Sequence, residues 1–174
     1  MVALVASGSV CLAKGQDQNR KRIGTFHDWQ AFTLTTGDNT VCYAISVPKK
    51  MTPKTVRRNG RTVRLQRGEV YVTITHRPAT ETENEVNVVI GYPFKKRSQV
   101  AYTIDGHRHN LFTMDDGAWA YDSKSDNRIV HAMERGKTLV VTGHSSHGAT
   151  TRDTYSLVGF TAAHDAIDKA CNVK

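Results

Sequence analysis

Glu69–His76 reads EVYVTITH, and its pattern decides the fold class. Val70, Val72 and Ile74 alternate with Tyr71, Thr73 and Thr75, so one set faces a core and the other faces away. Most of these residues are β-branched or aromatic, which suits a pleated, half-buried surface. Pro78 follows and cannot donate to a ladder, so the strand ends there.

The same reading extends in both directions. Val41–Val47 (VCYAISV) is a strand closed by Pro48, and Glu85–Tyr92 (EVNVVIGY) is another, with Gly91-Tyr92-Pro93 at its end. Thr55–Arg64 (TVRRNGRTVR) is a hairpin. Asn59-Gly60 supplies the two positive-φ residues of a tight turn, flanked by Val56 and Val63. Val100–Ile104 and Asn110–Met114 form a second hairpin through Asp105-Gly106. Ile129–Met133 and Thr138–Thr142 are expected to form a third, around Arg135-Gly136-Lys137. The period then changes. Phe160, Ala163, Ile167, Ala170 and Cys171 share one helical face, with Asp165, Asp168 and Lys169 elsewhere. Many short strands followed by one short helix predict an all-β fold: an antiparallel β-sandwich or flattened barrel with a single C-terminal α-helix.

The chain has 174 residues, enough for one domain with its own core. No apolar run approaches the ~20 residues of a membrane-spanning helix. The net charge is +8, from 24 basic and 16 acidic residues. Lys49, Lys50, Lys54, Arg57, Arg58, Arg61, Arg64 and Arg67 fall in one stretch without an acidic residue. That excess describes one surface rather than the fold.

Val2–Ala13 (VALVASGSVCLA) is small and apolar and ends in a small–x–small pattern that a signal peptidase could cut; the alternative is a buried first strand. Residues 1–13 are therefore read as a signal segment, 14–25 as a mobile polar lead-in and 26–174 as one β-rich domain. Removal of the leader with Cys11 would leave Cys42 and Cys171. A lone pair so far apart reads as one structural disulfide in an oxidising compartment, with two buried free thiols as the alternative.

Several stretches also carry a resemblance. They include His27-Asp28-Trp29, Val41-Cys42-Tyr43-Ala44, Val72–Pro78, Gly91–Lys95 and Ala118-Trp119-Ala120. The densest part is Ser145–Gly148, Asp153–Leu157 and Gly159–Ala163, closing at Cys171. In order and spacing the set, from Phe26 to Cys171, resembles the invasion-associated locus B family of alphaproteobacteria. The resemblance implies export across the inner membrane and a link to entry into host cells, and it offers no catalytic residues to carry over. His109 stands where an aromatic residue is expected, and the run from Lys49 to Arg67 is more basic than the family pattern.

Three constellations bear on chemistry. His144, Ser145, Ser146, His147 and Asp153 contain the residue types of a Ser-His-Asp triad but lack a nucleophile elbow; the competing reading is a polar loop bonded to backbone. Asp105, His107 and His109 alternate in the manner of a metal-binding His-x-His pair, but Asp105-Gly106 is also the turn itself. Lys54, Arg57, Arg58, Arg61, Arg64 and Arg67 lie at and around a projecting turn. They suit anionic phosphate or sulfate groups, with a solubility role as the alternative. Nucleic acid is not expected, since the stretch has no aromatic residue on which a base could stack. Trp29, Tyr43, Trp119 and Tyr155 are expected in or beside the core.

The function expected is that of a non-enzymatic protein of the periplasm or outer surface of a Gram-negative bacterium. It would need no cofactor or metal and would bind an anionic envelope lipid or glycan, or an envelope protein. The alternatives are a periplasmic accessory module for envelope assembly or stress tolerance and, more remotely, a hydrolase.

Overall fold

The computed structural model describes residues 19–173. The signal segment read over residues 1–13, and Cys11 within it, lie outside that range. The first strand, β1, spans Arg20–Phe26. The sheet therefore takes up much of what the sequence suggested was a mobile lead-in. Arg20, Lys21 and Arg22 concealed it: they are exposed edge-strand residues, which natural sheets favour at their margins.

The strands follow in chain order: β2 (Trp29–Thr36), β3 (Asn39–Ser46), β4 (Lys50–Thr52), β5 (Thr55–Arg58), β6 (Arg61–Arg64), β7 (Tyr71–Arg77) and β8 (Thr82–Val89). Then come β9 (Gln99–Ile104), β10 (His107–Met114), β11 (Gly117–Trp119), helix α1 (Ser123–Arg135), β12 (Thr138–His144), β13 (Thr150–Ser156) and helix α2 (Phe160–Cys171). Eleven strands make one antiparallel sheet in the order β1-β2-β3-β7-β8-β11-β10-β9-β12-β13-β4. The sheet has two edges, β1 and β4, so it does not close into a barrel. Strands β5 and β6 pair only with each other and stand apart from it.

The alternation predicted for Glu69–His76 holds from Tyr71 to Ile74; Thr75 is buried as well, and Val70 is half-buried and precedes the strand. Val72, Ile74 and His76 are fully buried, and Cys42 and Ala44 on β3 and Val86 and Val88 on β8 join them on the same face. Helix α2 covers this face. Its Phe160 meets Trp29 edge-on at 4.8 Å, and the Trp29 indole N–H donates to the Ser156 carbonyl at 3.0 Å. Small residues at Ala31, Ala44 and Ala163, all buried, let helix and sheet approach closely. The Cys42–Cys171 disulfide pins the end of α2 to β3 across 129 residues.

One expected hairpin is not there. Ile129–Met133 belongs to α1, so two α-helices rather than one occur among the described residues. The Asp122 side chain caps α1 by accepting from the Ser125 N–H at 2.7 Å. Asp126, Ile129, Val130 and Met133 then fall at helical spacing on the buried side. The β-branched pair Ile129-Val130 resembled a strand, but the cap and the 3.6-residue period prevail. The chain returns to β12 through Gly136, where a Cβ would lie 2.7 Å from Ile104 Cγ2 and 2.8 Å from Leu157 Cδ1.

Candidate functional site

Strands β5 and β6 form the basic hairpin that the Asn59-Gly60 turn predicted. Asn59 and Gly60 have φ of 50° and 75°, and Val56 pairs with Val63 as the flanking symmetry required. The turn sets Arg57 opposite Thr62 and the backbone of Arg58 opposite Arg61. Side chains of Lys54, Arg57, Arg61 and Arg64 are exposed. Among the described residues, no salt bridge engages Lys50, Lys54, Arg57, Arg61 or Arg64, whereas Lys49 pairs with Asp28. An open groove of about 1070 Å³ runs between the hairpin base and β4, lined by Lys49, Lys50, Met51, Lys54 and Arg64 among others. Cations without acidic neighbours beside an open groove can gather phosphate or sulfate oxygens at little desolvation cost.

Arg67 leaves this set. Its guanidinium donates to both Asp153 carboxylate oxygens, at 2.7 and 2.6 Å, and to the Ile90 carbonyl at 2.9 Å. The pair is buried, so Arg67 is structural and is not part of the basic surface. The same contact answers the triad reading. Asp153 is fully buried and both its oxygens are held by Arg67. Ser146 Oγ and His147 Nδ1 lie 3.2 Å apart on an exposed loop, while the Ser145 hydroxyl accepts the His147 backbone N–H. These are local loop bonds.

Asp105 is likewise occupied as a turn residue. Its two oxygens accept the Lys137 and Thr138 backbone N–H groups at 2.8 and 2.9 Å, which ties the β9–β10 turn to the start of β12. The three residues Asp105, His107 and His109 do not converge.

A different cluster does converge. His76 on β7, and His164 and Asp168 on α2, bring ligand-type atoms within 4.8 Å of one another, with Glu134 of α1 beside them. The sequence offered only a weak sign of it: His164 and Asp168 share a face of α2 by their i, i+4 spacing. His76 and Glu134 come from elements far apart in the chain.

Of the core aromatics expected, Trp29 and Tyr155 are fully buried, while Tyr43 and Trp119 are half-buried. Tyr43 stacks on Phe32 at 5.4 Å. Trp119 faces Phe112 at 6.1 Å across the β10–β11 ladder.

Comparison with known proteins adds two findings. The model of the family described as invasion associated locus B protein matches residues 29–168. Among solved structures, the chain is similar to the crystal structure of invasion associated protein B from Bartonella henselae, with a TM-score of 0.53 and 14% sequence identity. The match covers 86% of this chain and 97% of that one, and it shows a shared fold. No curated protein matches.

Proposed function

The chain belongs to the invasion associated locus B family, and on that premise we propose that it is an exported envelope protein that works by binding, without catalysis, to an anionic lipid or glycan surface. The observation that carries this reading is the exposed hairpin, whose Lys54, Arg57, Arg61 and Arg64 have no acidic partner among the described residues. The disulfide supports an oxidising compartment, hence the periplasm or the outer surface. The engagement of Asp153 by Arg67 supports a non-enzymatic role, because it removes the carboxylate a Ser-His-Asp site would need.

The test is binding to vesicles with and without anionic lipid, and to a sulfated glycan, across a salt series. The comparison protein carries Arg57→Ser, Arg58→Ser, Arg61→Ser and Arg64→Ser. Binding that weakens with salt and disappears in the variant is expected. Equal binding by both proteins would exclude the hairpin as the contact surface.

A second reading, an accessory module that binds an envelope protein, has an observation of its own. Phe112, Met114 and Tyr121 are exposed beside Trp119 at β10–β11, and apolar side chains grouped on a surface favour protein contact. A complex with an envelope protein that is insensitive to salt and lost in Tyr121→Ser would favour it.

A further inference from the structure

Strand β10 presents an exposed face that shares no residue with the basic hairpin. Arg108, Asn110, Phe112 and Met114 alternate with His109, Leu111 and Thr113, which are half-buried or buried, so the four stand on one side of the sheet. Phe112 pairs with Gln99 of β9 on one flank and with Trp119 of β11 on the other. Its ring lies 6.1 Å from Trp119, at an interplanar angle of 29°, and 5.6 Å from Tyr121. Phe112 and Tyr121 are 37% and 54% exposed. The Trp119 ring folds back over Gly117, where a Cβ would collide with Cη2 and stand 2.9 Å from Cζ3, so glycine leaves it room. Three neighbouring rings thus make an open aromatic platform.

Beside the platform, an open hollow of about 440 Å³ lies between the β8–β9 connection and the end of β12. Lys95, Lys96, Arg97, Arg108 and His144 line it, and no acidic residue does. Among the described residues, none of Lys95, Lys96, Arg97 and Arg108 has a salt-bridge partner. The basic triplet is fixed in place. The Lys95 N–H donates to the His144 carbonyl at 2.8 Å, and the Ser98 N–H closes the turn on the Lys95 carbonyl at 3.0 Å. Arg108 donates Nε to Asn110 Oδ1 at 2.9 Å, which steadies the guanidinium and leaves its terminal nitrogens for an oxyanion. Gln99 joins the two features, since it lines the hollow and bonds the Tyr121 hydroxyl at 2.6 Å.

Cations and rings side by side select a ligand that uses both. A free sulfate or phosphate has no use for the rings, and neither has a layer of lipid headgroups. An apolar protein segment would cover the cations without supplying a counterion, which is costly. A sugar carrying an oxyanion fits: the C–H face of a pyranose lies on an aromatic ring, its hydroxyls meet Gln99 and Asn110, and its charged group enters the hollow. Arg108 and Phe112 stand four residues apart on one strand face, roughly 13 Å, so the ligand spans more than a single ring.

We propose that this face binds an acidic oligosaccharide, with sugar rings on Phe112, Trp119 and Tyr121 and a sulfate or phosphate group held by Arg108 and the Lys95–Arg97 turn. A nucleic acid strand offers the same two chemistries; the choice of a saccharide rests on the reading of the chain as an exported envelope protein.

The test is fluorescence titration of the full, oxidised chain. It has two tryptophans, and Trp29 is fully buried, so a change in emission on binding reports Trp119. The probes are a short sulfated glycosaminoglycan, a lipid-free phosphorylated core oligosaccharide, a polyphosphate of matched charge and a single-stranded oligonucleotide. A saturable change is expected with one or both saccharides, and none with polyphosphate. The change should persist in the chain carrying Arg57→Ser, Arg58→Ser, Arg61→Ser and Arg64→Ser. Arg108→Gln should weaken binding about tenfold, and Phe112→Ser should abolish the change in emission. Arg108 is exposed, so its variant keeps the test decisive if Phe112→Ser fails to fold. No saturable binding of either saccharide would overturn the proposal, as would an equal response to polyphosphate or tighter binding of the oligonucleotide. Binding lost in the hairpin variant but intact in Arg108→Gln and Phe112→Ser would also overturn it while upholding the hairpin as the contact surface. The reverse pattern upholds this site and fails the hairpin.

Discussion

Arg67 and Asp153, 86 residues apart, meet in a two-point ion pair that joins the segment after the basic hairpin to strand β13. The side chains are 7% and 0% exposed, and the Arg67 Nε also holds the Ile90 carbonyl. Removing one partner leaves a buried charge without a counterion, which costs about 3–5 kcal/mol. Arg67→Met and Asp153→Asn should each lose stability of that order in denaturant unfolding. The double variant Arg67→Met with Asp153→Leu should recover most of it, because it buries neither charge. A double variant as unstable as the sum of the singles would contradict the assignment.

The Cys42–Cys171 bridge closes a loop of 129 residues. In the chain-entropy model a loop of that length contributes about 4–5 kcal/mol. Replacing both cysteines with alanine should lower the urea midpoint accordingly, with the native fold retained in concentrated osmolyte. The end of α2 should then lose hydrogen-exchange protection before the sheet does.

Asp126 makes stability depend on pH. Its Oδ1 accepts the Val86 N–H at 2.8 Å, and burial, with lesser contributions from Glu85 and Asp122, pushes its carboxyl up to about 6. The unfolded chain releases this proton near pH 3.9. Between those values the folded state holds a proton that the unfolded state has lost. The stabilisation is therefore complete below about pH 4 and is lost as pH rises through about 6, an effect of at most about 3 kcal/mol. Asp126→Asn keeps an acceptor oxygen for Val86 and removes the ionisation. It should flatten the stability profile across that window and raise stability at pH 7.5. An equally steep profile in the variant would contradict this account.

The hairpin cations should matter little to folding. Arg57, Arg61 and Arg64 are exposed and lie outside the main sheet. Changing all three to serine should move the unfolding free energy by no more than about 0.5 kcal/mol per site. Thermal unfolding in parallel with vesicle binding separates lost contact from lost structure.

Much of the fold was legible in the chain. Alternation in Glu69–His76 identified β7 and its buried face, and Asn59-Gly60 and Asp105-Gly106 identified two hairpins. The apolar stripe Phe160–Cys171 identified α2 and placed Cys171 on its buried side. Helix α1 was also written in the chain, as the Asp122 cap and the spacing of Ile129, Val130 and Met133, but a short β-branched run masked it. Of the candidate surface, Lys54, Arg57, Arg61 and Arg64 were legible because a polar hairpin tip has nowhere to bury them. Arg67 was not, since nothing within a few residues marks it as paired.

The sequence by itself determined strands β3, β7, β9 and β10, the Asn59-Gly60 and Asp105-Gly106 turns with the basic hairpin, and the apolar stripe of α2 that carries Cys171. Each depends on the period or backbone preference of nearby residues, which short-range sterics and hydrophobic patterning dictate. Tertiary structure alone decided the order of the eleven strands, the burial of Arg67 on Asp153, and the meeting of His76, Glu134, His164 and Asp168. Those relations join residues tens of positions apart. They exist only once the sheet is ordered and the helices are packed, so no local preference encodes them.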